Sequence, residues 1–110
     1  MNLTISGHHI EVTPALKEYV TEKIGKLSTH FEDLLNAKVI LTVERHKEHD
    51  GRKAECTLHM KGVDLFADAS NTDMHVAIDE MVAKLERQVV RHKERQQNRA
   101  KDGVKHAAVS

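Results

Sequence analysis

At 110 residues the chain can bury one hydrophobic core and is too short for two domains that each bury their own. It is 39% hydrophobic and 31% charged, and no run approaches the roughly 18 apolar residues of a membrane-spanning helix, which excludes that class. The formal net charge of +0 hides a split: Met1 to Ala83 carry 9 Lys and Arg against 14 Asp and Glu (−5), whereas Lys84 to Ser110 carry 8 against 3 (+5).

The first stretch, MNLTISGHHI, has neither the charged nor the apolar segment of an export signal, so a cytoplasmic protein is expected. Leu3 and Ile5 alternate with Asn2, Thr4 and Ser6 before Gly7, the period of a short strand. In EVTPALKEYVTEKIGKLSTHF, Thr13 is placed to cap a helix whose first residue is Pro14, where the missing N–H costs nothing. Leu16, Tyr19 or Val20, Ile24, Leu27 and Phe31 form its apolar stripe, and it is expected to end between Ser28 and Phe31. Gly25 inside this helix lowers its propensity and suggests close packing there.

From Ala37 the period becomes two. Ala37, Val39, Leu41 and Val43 share one face, Lys38, Thr42 and Glu44 the other, with Ile40 the exception. A polar loop, ERHKEHDGR, separates this strand from a second alternating run, KAECTLHMK, and the Lys61-Gly62 turn leads into a third, VDLFADAS. Cys56, the only cysteine, excludes an internal disulfide and a thiolate cluster; on the apolar side with Ala54, Leu58 and Met60 it reads as a small core residue, not a nucleophile. Asn71 or Thr72 is then expected to cap a long helix with Asp73 in its first turn, and Met74, Ile78, Met81, Leu85 and Val89 form the buried stripe.

The elements predict an α+β domain, β-α-β-β-β-α, in which a four-stranded sheet carries two helices on one face and the first two strands lie parallel. The domain is expected to span 1–97, with a disordered C-terminal tail over 98–110.

On a wheel of about 100° per residue with Lys84 at zero, Arg87 falls near −60°, Arg91 near −20° and Arg95 near +20°, beside the apolar stripe centred near 100°. Basic residues close to a helix C-terminus gain from the dipole, which accounts for Arg95 and Lys93 as plain surface. It accounts less well for Lys84, Arg87 and Arg91 in mid-helix, and this ridge is expected to meet phosphate. Lys23 and Lys26 on the first helix either extend the footprint or are ordinary surface residues. Three aromatic residues, Tyr19, Phe31 and Phe66, cannot supply a base-stacking platform, and no helix-turn-helix is present, so structured RNA read by shape and backbone is the expected ligand. His8 and His9, or His46 and His49 in the polar loop, lack the rigid spacing of metal ligands; no metal site, cofactor or small-molecule substrate is expected. Without a phosphate loop, HExxH or GxSxG motif, or an acid, base and nucleophile grouping, no enzymatic activity is expected.

ISGHHIEVTPALKEYVTEKIGKL and NTDMHVAIDEMVAKLERQVVRHKER, within this element order, resemble the short ribosome hibernation promoting factors, the ribosome-associated inhibitor or sigma-54 modulation family. The resemblance covers about Met1 to Arg95. Asp73, Met74, Ala77, Ile78 and Asp79 match the entry to the family's second helix, and Lys84, Leu85, Arg87, Gln88, His92 and Lys93 match its basic continuation. His75, where the family commonly has tyrosine, and Val76, where alanine is usual, depart from the pattern.

The resemblance implies a fold similar to double-stranded-RNA-binding domains and adds His92 and Lys93 to the expected RNA-binding residues. It implies binding to 16S ribosomal RNA of the small subunit, in the channel used by messenger and transfer RNA, with translation inhibited in stationary phase or stress. The short, non-acidic tail KDGVKHAAVS favours the type that promotes inactive ribosome dimers together with a ribosome modulation factor. The alternative is a protein-interaction regulator of the sigma-54 modulation type, whose basic helix docks on an acidic protein.

Overall fold

The structure, a computed structural model, describes residues 2–30, 34–45 and 50–109, of which 29, 30, 50 and 96–109 are described as backbone only. Six elements follow in the expected order: β1 (Asn2–His8), α1 (Pro14–His30), β2 (Leu34–Arg45), β3 (Asp50–Met60), β4 (Val63–Asn71) and α2 (Met74–Val109). The sheet order is β1-β2-β3-β4. β1 runs parallel to β2, as a strand-helix-strand crossover requires, and the other pairs are antiparallel.

The alternation read in the strands becomes two faces. Rows such as Val39, Cys56 and Ala67, or Leu41, Ala54 and Ala69, lie across β2, β3 and β4 and are buried. The intervening rows, Lys38, Thr57 and Phe66 and then Ile40, Glu55 and Asp68, lie on the opposite face. Leu16, Val20, Ile24 and Leu27 of α1 join Met74, Ile78, Met81, Leu85 and Val89 of α2 in the same core, so both helices cover one face. α2 lies on β4 and β3. There the sheet offers Ala54, Cys56, Ala67 and Ala69, short side chains that leave room for its bulkier stripe.

Two glycines have a steric role. A Cβ on Gly7 would stand 2.5 Å from the Ile10 carbonyl oxygen, so the chain leaving β1 can close only without a side chain. Gly62 turns β3 into β4 at φ 86°.

Several sequence expectations need correcting. The polar stretch before β3 is mostly strand: β2 continues to Arg45, β3 begins at Asp50, and Glu44 pairs with Gly51, because backbone hydrogen bonds extend a hairpin whatever its side chains. The α2 cap is Asp73 and not Asn71 or Thr72; its carboxylate accepts from His75 N at 2.9 Å, while the Asn71 side chain accepts from Asp73 N at 3.0 Å. Thr13 caps α1 as expected, its hydroxyl accepting from Leu16 N at 3.2 Å. The close packing expected at Gly25 is absent: a Cβ there would meet nothing within 4 Å. Phe31 lies outside the described residues.

α2 continues past Gln97 to Val109 as helical backbone, where a disordered tail was expected from 98. The segment from 98 holds no proline and one glycine, so no residue in it forbids continuation of the helix. The boundary at 97 was set by the end of the apolar stripe, and among the described side chains the buried series on α2 does end at Val89.

Candidate nucleic-acid interface

α2 carries the basic residues in an orientation set by its buried stripe, with Met81, Leu85 and Val89 all at 0% exposure. A helix so anchored cannot roll far without exposing apolar surface. Lys84, Arg87, Arg91, Lys93 and Arg95 are exposed. Arg87 Nε donates to the Ala83 carbonyl at 3.3 Å, while Arg91 and Arg95 make no hydrogen bond or ion pair with another described residue. Lys84 Nζ donates to the Asp68 carbonyl at 2.8 Å, and Gln88 Nε2 to the Phe66 carbonyl at 2.8 Å, so this flank of α2 overhangs β4.

His92 lies one turn beyond Gln88 and is half-buried; its Nε2 is buried without a hydrogen-bond partner among the described residues. That nitrogen faces the body of the domain, so His92 differs from the exposed residues with which it was grouped. Glu86 and Glu94 line a shallow depression with Arg87, Val90 and Arg91 on the outer side of α2. Lys84 therefore lies on the flank toward β4, while Arg87 and Arg91 share the outer side with Glu86 and Glu94.

Lys23 and Lys26 do not join that flank. They line a groove between the helices with Leu27, Asp79, Val82, Ala83 and Glu86. Lys23 Nζ is 3.6 Å from Asp79 Oδ1 and Lys26 Nζ 3.8 Å from Glu22 Oε1. On the helical wheel Asp79 and Glu86 lie about 140–160° from Lys84 but only about 80–100° from Arg87, so the groove lies opposite Lys84 and meets the Arg87 side of α2 at Glu86.

The same groove contains a polar junction that sequence reasoning missed. The Tyr19 hydroxyl donates to Asp79 Oδ1 at 2.5 Å, Lys23 Nζ lies 5.4 Å from the Tyr19 ring centroid, and the His75 ring meets Tyr19 edge-on with centroids 4.7 Å apart. His75 thus supplies an aromatic contact to Tyr19 across the two helices. The hydrogen bond to Asp79, with partial burial, pushes the Tyr19 phenol up to about 12. A tyrosine at the margin of an apolar stripe needs a partner for its hydroxyl, which was the one available signal.

Cys56 is buried at 1% exposure, and desolvation pushes its thiol up to about 12. Among the described residues no group of three His, Cys, Asp or Glu side chains could hold a metal ion; His46 and His49 lie outside them. No helix among the described residues is long and apolar enough to cross a membrane.

A family model described as sigma 54 modulation protein / S30EA ribosomal protein matches residues 3–97, the whole sheet, α1 and the packed part of α2. The chain belongs to this family. A ribosome hibernation promoting factor from Azotobacter vinelandii is 46% identical over 96 residues, covering 87% of this chain and 86% of that protein. The N-terminal domain of protein Y from Thermus thermophilus superposes with a TM-score of 0.75 at 30% identity, covering 84% of this chain and 99% of that one. A ribosomal subunit interface protein from Coxiella burnetii superposes with a TM-score of 0.77 at 21% identity, over 86% of this chain and 99% of that one, and shows the shared fold. For this member of the S30EA family, the matched span holds every basic residue considered above.

Proposed function

We propose that the protein is a ribosome hibernation factor that inhibits translation by occupying the small ribosomal subunit. The observation that carries this reading is the exposed pair Arg91 and Arg95, without an ion-pair or hydrogen-bond partner among the described residues, with Arg87 beside them, on a helix held by Leu85 and Val89. Fixed cations spaced four residues apart, about 6 Å along a helix, suit the phosphates of folded RNA, and arginine offers each a planar fork of donors. The relatives named ribosome hibernation promoting factor support the same reading.

On this reading the ligand is 16S ribosomal RNA in the channel that messenger and transfer RNA would occupy, and the protein acts in the cytoplasm by occupancy, without catalysis, in stationary phase or stress. Promotion of inactive ribosome dimers with a ribosome modulation factor is part of the proposal. Lys84, Arg87, Arg91, Lys93 and Arg95 form the contact flank; His92 supports it from below, and Lys23 and Lys26 belong to a separate groove. Affinity purification of the tagged protein from resting-cell extract, with and without complete nuclease digestion, tests this. Small-subunit components should be recovered and lost on digestion. A protein partner that survives digestion, with no ribosomal component in the untreated sample, would instead support a regulator docking on an acidic protein.

A further inference from the structure

The hydrogen bonds from α2 to the sheet edge have a common geometry. Lys84 and Gln88 are four residues apart on a helix, a rise of about 6 Å. Their acceptors, the carbonyls of Asp68 and Phe66, are two residues apart on a strand, about 6.7 Å. The two repeats nearly match, and both bonds form at 2.8 Å. Pairing 84 with 68 and 88 with 66 makes α2 antiparallel to β4. Because β4 is an edge strand, these carbonyls have no neighbouring strand to bond. Apolar contact beneath Leu85 and Val89 holds α2 down but is non-directional, whereas two donors to one side of that stripe are directional.

We propose that Lys84 and Gln88 are positioning residues, a two-point clamp on the outer carbonyls of β4 that sets the roll of α2 and hence the direction of Arg87 and Arg91. The consequence for binding rests on the ribosomal reading above; the clamp itself does not. Lys84 retains donors beyond the one given to Asp68, so it can clamp and still meet a phosphate. Gln88 carries no charge, which makes it the cleaner probe.

Spin labels on Thr4→Cys and Glu94→Cys report the sheet-to-helix distance, and Cys56, at 1% exposure, stays unlabelled in the folded protein. The distance distribution is expected to be narrow in the parent, broader in Gln88→Leu and in Lys84→Met, broadest in the double variant, and narrow again in Gln88→Lys, whose ammonium can reach the same carbonyl. If the double variant does not fold, the single variants and the Gln88→Lys rescue decide. On purified small subunits, Gln88→Leu should weaken binding roughly five- to tenfold with the salt slope unchanged. Arg87→Gln should lower that slope by about 0.7–0.9. Distributions as narrow as the parent's in both single variants would overturn the clamp, as would a broadened Gln88→Leu that binds like the parent. If the parent does not bind subunits, the ribosomal reading fails and the distances alone judge the clamp.

Discussion

Tyr19 ties the two helices through one hydrogen bond, and its chemistry can be read directly. The neutral phenol donates to Asp79, so the folded protein holds that proton more tightly than the unfolded chain does, with a titration pushed up to about 12 from 10.0. The sign follows: this contribution to stability is complete below pH about 10 and is lost as pH rises toward 12. Because Tyr19 is the only tyrosine, its ultraviolet absorbance follows the ionisation without interference. The midpoint should lie near 12 in the parent and fall toward 10 in Asp79→Asn; the same midpoint in both would break the link. Cys56 gives a second residue-scale prediction. A thiol this buried, with its ionisation raised by desolvation, should resist an aromatic disulfide reagent at pH 8 until the protein unfolds. Cys56 was legible as a core residue because it falls in an alternating run. The Tyr19 and Asp79 pairing was not, because it joins residues 60 apart that only the packed helices bring together.

Among the elements, the helices were read best where periodicity and capping agree. The α1 start at Thr13 and Pro14 and the α2 stripe from Met74 to Val89 stand as expected, each set by local chemistry. Strand ends were read too short because side-chain polarity does not limit a hairpin ladder, and the α2 cap moved to Asp73 because several neighbouring residues could each serve. Gly25 was read as a close contact, and open space there reverses the inference. Gly25→Ala should therefore raise stability by roughly 0.5–1 kcal/mol, measured by chemical denaturation. Leu85→Ala should lower it by about 2–5 kcal/mol, since Leu85 is at 0% exposure in the centre of the core. A small effect at Leu85 would mean that α2 is not held as described.

For the molecule as a whole, the topology was legible because a parallel pair demands a crossover and each later strand carries one apolar face. The basic surface was legible only in part. A helical wheel orders residues around α2, but it cannot say that Lys84 and Gln88 reach β4 or that Lys23 turns toward Asp79, since those depend on the neighbouring element. What emerges is a chain of zero net charge with a cationic flank on one helix. Such a flank should act locally and be sensitive to salt, because each phosphate contact releases counterions. The most direct measurement is co-sedimentation with purified small ribosomal subunits across a salt series, for the parent and for Arg87→Glu combined with Arg91→Glu. The account predicts that the parent binds, that log affinity falls with log salt with a slope of roughly −3.5 to −4.5 for five phosphate contacts, and that the double variant melts like the parent yet fails to sediment. Salt-indifferent binding, or a double variant that still binds, would contradict it.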